Sequence, residues 1–289
     1  MRLRLRDATL DLAPAKPLLM GIVNATPDSF SDEPGAKPLD VLAERGLALA
    51  AAGAAIVDVG GESGRTDREA VSEDEEISRV APLVERLAAE GVVVSVDTWR
   101  APVAREALAA GAGLINDVSG LSDPDIATAC AEIGAGLVIT HTRAAPKTKA
   151  FPAYDDVVAD VCETQAEERG VEPDQLLLDP GIDLAKTPAE SIEVLRRLSE
   201  LESLGRPLLL AISRKDFVGA LTGRPPARRG AGTLGAVEPA LDFAGGTVLR
   251  VHDVEATADF LAVRSALRGE APLPAGPLDE LLRRERDLA

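Results

Sequence analysis

Eight short apolar runs recur along the chain, and each closes on polar side chains. They are PLLMGIVN (17–24), AAIVDVGGES (54–63), VVVSVDT (92–98), GLINDVSG (113–120), GLVITHT (136–142), QLLLDPG (175–181), PLLLAISRK (207–215) and TVLRVHD (247–253). Continuous runs of Val, Ile and Leu, without strict alternation, predict strands covered on both faces, as in a parallel sheet. Between them lie stretches with apolar residues at helical spacing, such as LDVLAERGLALAAAG and EEISRVAPLVERLAAEG. Eight βα units in one chain predict an α/β fold, a single (β/α)8 TIM barrel, whose chemistry gathers at the C-terminal ends of the strands. The polar clusters fall at those ends.

The flanks are read from the same pattern. RLRL and ATLDL near the N-terminus predict a small hairpin closing the bottom of the barrel, and EATADFLAVRSALRG predicts its last helix. The barrel with its hairpin is therefore assigned to residues 1–269. The Pro/Gly linker APLPAGP and a short amphipathic tail fill 270–289. Two long loops, SFSDEPGAKPLD after the first strand and RAAPKTKAFPAYDD after His141, are either lids or plain surface excursions.

Composition narrows the class of partner. With 289 residues and 46% hydrophobic content, the chain has ample material for one large core. A formal charge of −17 argues against nucleic acid or an anionic membrane surface as partner. An acidic protein that binds an anion must collect cations locally, so a Lys, Arg or His at a strand end carries extra weight. No uncharged apolar run of about 20 residues is present to span a membrane, and the N-terminus lacks the apolar stretch of a signal peptide. Cys130 and Cys162 fall in predicted helices without metal-ligand spacing. Buried thiols in a reducing, cytoplasmic setting are the expectation.

The strand ends carry the candidate chemistry. Asp97, Asn116 and Asp179 terminate the third, fourth and sixth runs, each after apolar residues. A buried carboxylate is costly unless donors satisfy it. Three such groups converging on one mouth can grip a flat heterocycle through N–H groups along one edge; singly, each could instead cap the following helix. SRK (Ser213, Arg214, Lys215) ends the seventh run. In the eighth, Arg250 and His252 are two apart and share a face of the strand. Phosphate sites of such barrels commonly form at this corner, and an Arg fork beside an imidazole is suited to a diphosphate. Asn24 offers an amide oxygen for Mg²⁺, unless Thr26, Asp28 and Ser29 beside it merely build a turn. His141 has no metal-ligand neighbour in sequence, and no nucleophile elbow occurs.

Taken together, these segments resemble the dihydropteroate synthase family: MGIVNATPDSFSD, DVGGES with Arg65, SVDT, INDVSG, LLLDPGI, ISRK with Phe217, Gly232–Thr233 and LRVHDV. They run in order along nearly the whole barrel. The resemblance implies transfer of a 7,8-dihydropterin-6-ylmethyl group from its diphosphate to p-aminobenzoate, with Mg²⁺ as cofactor and a homodimeric assembly. By position it implies that Asp97, Asn116, Asp179 and Lys215 hold the pterin. Asn24, Arg65, Arg250 and His252 would meet the diphosphate, with Asn24 also on the metal. Ser213, Leu184 and Asp216 would border the second substrate. Asp97, Asp179 and Lys215 would be the residues closest to the chemistry.

Departures from the family pattern cluster where p-aminobenzoate should dock. They are Ser63–Gly64–Arg65–Thr66–Asp67, Asp183–Leu184, His141–Thr142–Arg143–Ala144, and Asp216 in place of Ser after Lys215. An Asp216 carboxylate turned to the backbone donors of its own helix would compete with a carboxylate-bearing substrate there; turned outward, it would merely cap the helix. The alternative reading is accordingly a pterin-binding homologue with lost or altered use of the second substrate. A methyltetrahydrofolate-binding barrel would share the Asp/Asn/Asp grip but would have no use for a diphosphate clamp at Arg250 and His252.

Overall fold

All eight apolar runs form strands, and they close on themselves. The computed structural model describes residues 1–26, 38–64, 66–165, 171–273, 275–276 and 282. The barrel strands are β3 (Leu18–Asn24), β4 (Ala54–Gly60), β5 (Val94–Asp97), β6 (Leu114–Asp117), β7 (Gly136–Thr140), β8 (Leu176–Asp179), β9 (Leu208–Leu210) and β10 (Thr247–Val251). They pair in parallel in chain order, and β10 returns to β3, so no edge is left open. The predicted hairpin is present as β1 (Arg2–Arg4) and β2 (Thr9–Asp11), paired antiparallel.

The helices between the strands follow their local chemistry. α1 (Leu39–Ala51) and α2 (Glu73–Ala89) form where the helical spacing predicts them. Ser72 caps α2 by accepting from the Glu75 amide, and four acidic residues occupy its first turn, where the helix dipole favours them. α3 (Ala101–Ala109), α4 (Asp125–Ile133), α5 (Val157–Gln165) and α6 (Pro188–Arg196) follow. Thr187 and Glu190 form a reciprocal capping box at the start of α6. Between β9 and β10 the chain makes three short helices, α7 (Asp216–Thr222), α8 (Gly230–Gly235) and α9 (Glu238–Leu241). The last helix, α10 (Val254–Leu267), is capped by the Asp253 carboxylate. Cys130 is buried in α4 and Cys162 half-buried in α5. Among the described residues no helix is long and apolar enough to cross a membrane.

The barrel interior changes character over a single step. Met20, Ile56, Leu114, Val138, Leu177, Leu209 and Val248 form one buried cluster, into which Leu3, Leu5 and Leu12 of the hairpin region pack. Residues two further along a strand point to the same side. Two beyond Ile56, Leu114, Val138, Leu177 and Val248 stand Asp58, Asn116, Thr140, Asp179 and Arg250. An apolar plug thus fills the lower barrel, and a polar layer lies directly upon it. Separate from the plug, the outer faces of the strands and the inner faces of the helices make the main core.

Candidate active site

At the mouth, the polar layer is organised around Arg250. Its Nε donates to Asp58 Oδ2 at 2.6 Å and its Nη2 donates to Asp97 Oδ2 at 2.8 Å. Asn116 Nδ2 donates to the same Asp58 oxygen at 3.3 Å. Asp58 is fully buried and its Oδ1 has no partner; nor does Asn116 Oδ1. Unpaired buried acceptors are uncommon in folded proteins because they forfeit hydration, and here they suit a ligand rich in N–H donors. Burial drives the Asp97 carboxyl up to about 7. Arg250 opposes that rise, and Asp58, Glu76 and Asp117 add to it.

Asp179 closes the opposite side. It is buried, and its Oδ1 accepts from the Gly181 amide at 2.8 Å. Desolvation raises its pKa, with the Gly181 bond and the Lys215, Lys186 and Arg250 charges acting against the rise. Gly181 has φ +70°, and a Cβ there would collide with the His141 carbonyl, so only glycine lets the chain turn this tightly beneath the site. Lys215 donates to the Ile182 carbonyl at 2.9 Å; burial lowers its pKa, partly offset by Asp183 and Asp179.

A cationic corner adjoins this layer. The His252 amide donates to Ser213 Oγ at 3.3 Å, and that hydroxyl lies 2.9 Å from His252 Nδ1. Burial, reinforced by Arg214, Arg250, Arg45 and Lys215, brings the imidazole down to about 4, so it is neutral at pH 7. Four cations thus bear on one imidazole in a chain of net charge −17. Asn24 ends β3 opposite Gly60, and a Cβ at Gly60 would lie 3.5 Å from Asn24 Oδ1. Glycine therefore keeps open the space beside that oxygen.

The sequence-derived set is only partly assembled as expected. Asp97, Asn116, Asp179, Lys215, Arg250 and His252 converge on the mouth. Arg250, read from sequence as a diphosphate ligand, spends two of its nitrogens on Asp58 and Asp97. Arg65 lies outside the described residues, as do Asp28, Ser29, most of the first long loop and nearly all of the tail. Asp216 does not turn to the donors of its own helix as anticipated. Its exposed carboxylate pairs with Arg229 at 2.9 Å, while its amide donates to the carboxylate of Asp183. Leu184 is half-buried in the loop after β8. Sequence reasoning missed Asp58, although its position two beyond Ile56 marks it as inward-facing. It also missed Lys186, whose partners are brought to it only by the fold.

Residues 20–252 match the family model described as pterin binding enzyme. The chain belongs to the dihydropteroate synthase family. A dihydropteroate synthase of Bacillus subtilis is 42% identical over 256 residues, covering 87% of this chain and 89% of the relative. The dihydropteroate synthase of Xanthomonas albilineans, solved with 4-aminobenzoic acid, superposes with a TM-score of 0.82 at 42% identity, covering 94% of this chain and 100% of that one. The same enzyme solved with 7,8-dihydropteroate gives a TM-score of 0.80 at 40% identity, covering 93% and 100%.

Proposed function

We propose that this protein is a dihydropteroate synthase working as a homodimer in the cytoplasm. It joins the methylene carbon of a 7,8-dihydropterin-6-ylmethyl diphosphate to the amine of p-aminobenzoate. The observation that carries this reading is the abrupt change in the barrel interior. Carboxylate and amide acceptors suited to a pterin edge lie directly beside a cluster of cations suited to its leaving group.

Asp97, Asn116, Asp179 and Lys215 take the pterin. The carboxylates favour partial positive charge on the ring as the C–O bond to the diphosphate breaks. Arg214, Arg250, Lys215 and His252 surround the departing anion. The amine nitrogen then bonds to the methylene carbon and releases one proton, so no protein nucleophile is needed. Asn24 would hold a Mg²⁺ ion through its side-chain amide oxygen, a neutral ligand of the kind Mg²⁺ accepts beside substrate phosphates. Mg²⁺, when bound, offsets negative charge on the leaving group. Arg250 acts chiefly by holding Asp97 and Asp58 in place and lends its charge to the same corner.

Restoration of growth to a bacterium lacking its own dihydropteroate synthase, on medium without folate end products, tests the assignment. Growth dependent on the intact gene and abolished by Asp179→Ala is the expected result. Failure to restore growth by soluble, folded protein would favour the pterin-binding homologue with an altered second substrate.

A further inference from the structure

Beneath the loop that follows β8 lies a buried ionic cluster with no part in the reaction as described. Lys186 and His141 are each 1% exposed. Lys186 Nζ stands 2.8 Å from His141 Nδ1, 3.2 Å from the Gly181 carbonyl oxygen, and 3.3 Å from those of His141 and Leu184. An ammonium only donates, so Nδ1 must be the accepting nitrogen. The ring proton is then on Nε2, which donates to Asp160 Oδ2 at 2.8 Å. Arg143 pairs with the other Asp160 oxygen, and Tyr154 Oη donates to the Ala185 carbonyl at 3.1 Å.

A buried lysine is expensive, and the location of its acceptors shows what it accomplishes. They belong to the end of β7 and to the loop after β8, the two segments that flank Asp179. The His141 amide donates to the Asp179 carbonyl at 2.8 Å, and the Gly181 amide donates to its carboxylate. Lys186 holds the carbonyl of that same glycine from below. Lys215 takes the next carbonyl, Ile182, from the other side. Two lysines thus grip one loop, one hidden beneath it and one at the site.

We infer that Lys186, oriented by His141 and Asp160, is a positioning residue that fixes the Asp179 carboxylate and the Lys215 ammonium for the pterin without touching it. The inference rests on the pterin reading of the site. Charged and titratable groups face Lys186 from every neighbouring element: His141 from β7, Asp160 from α5 with Arg143 and Tyr154 about it, Asp179 from β8, Lys215 ahead of α7, and Glu190 from α6. Burial brings the Lys186 ammonium down to about 8, with Asp179 and Asp160 opposing the fall. The grip is therefore strongest at neutral pH and below, and it weakens as pH rises through that value.

Calorimetric affinity for 6-hydroxymethyl-7,8-dihydropterin, which carries no diphosphate, tests this between about pH 6 and 9.5. Beyond any change near 7 from Asp97, wild type should lose affinity above about 8. Lys186→Met should bind about tenfold or more weakly at pH 7, the loss expected for a charge-assisted bond, with no further fall near 8. Asp160→Asn keeps an acceptor for His141 but removes a charge that favours the ammonium. Its affinity at pH 7 should survive, and its alkaline fall should move to lower pH. If Lys186→Met does not fold, the shift in Asp160→Asn decides alone. A fall unchanged in Lys186→Met would belong to Lys215 and overturn the inference, as would an unmoved fall in Asp160→Asn. Wild type that binds no dihydropterin at any pH would overturn the pterin reading along with it.

Discussion

Replacing Arg250 with methionine separates two roles that one side chain could fill, a ligand for diphosphate and a clamp on two carboxylates. The guanidinium is 18% exposed and contacts Asp58 and Asp97, whose side chains are 0% and 23% exposed. Removing one partner from a buried ion pair costs about 3–5 kcal/mol, because the remaining charge stays out of water. The loss depends on pH. The Asp97 carboxyl already lies near 7 when folded, above the value of about 3.9 for an unfolded aspartate. A carboxyl raised in this way stabilises the fold most at low pH and loses that contribution as pH climbs through its folded value. Without Arg250 the folded value rises further, and the variant recovers stability by taking up a proton. The gap from wild type should therefore be narrower at pH 6, where only the Asp58 contact is lost, and near 3–5 kcal/mol at pH 8.5. Urea unfolding at both pH values measures it. Calorimetry at pH 8.5 should find plain dihydropterin weakened as well as its diphosphate, since both need Asp97 in place. A variant as stable as wild type at pH 8.5 that loses only the diphosphate form would refute the clamp and make Arg250 a dedicated anion ligand.

Two further outcomes follow from the cationic corner and the second-substrate side. His252 is held near 4 by burial and by Arg214, Arg250, Arg45 and Lys215, so an arriving diphosphate should raise it and draw a proton at pH 6. Binding heats of diphosphate that vary with buffer ionisation enthalpy in wild type, but not in His252→Asn, would show this; buffer-independent wild-type heats would contradict it. Asp183, whose carboxylate accepts from the Asp216 amide, should repel an incoming carboxylate. Asp183→Asn should lower the KM for p-aminobenzoate roughly fivefold at unchanged pterin affinity. Asp216→Ser should do little, because Asp216 is paired with Arg229; the opposite ranking in steady-state assays would restore Asp216 as the competing charge.

Much of this architecture is legible in the sequence because strand periodicity carries it. Eight apolar runs locate the strands, and counting two residues from Leu114, Leu177 or Val248 reaches Asn116, Asp179 and Arg250 without any coordinates. The same count from Ile56 reaches Asp58. What the sequence hides is which polar groups spend their bonds on one another. Arg250 and Asp58 are distant along the chain, and nothing local says that they meet. The pairing of Asp216 with Arg229, and of its amide with Asp183, likewise depends on how two loops approach. Lys186 looks like any lysine before a helix cap until the fold brings His141 and three carbonyls around it.

Joint transfer of a pterinylmethyl group to an arylamine by the polar layer and the cationic corner has one direct readout. Purified protein with Mg²⁺, 7,8-dihydropterin-6-ylmethyl diphosphate and p-aminobenzoate should yield 7,8-dihydropteroate and diphosphate in equal amounts, identified by mass spectrometry and a diphosphate assay. Little of either should appear when p-aminobenzoate is omitted. Tight pterin binding with no dihydropteroate formed at saturating p-aminobenzoate would contradict the account.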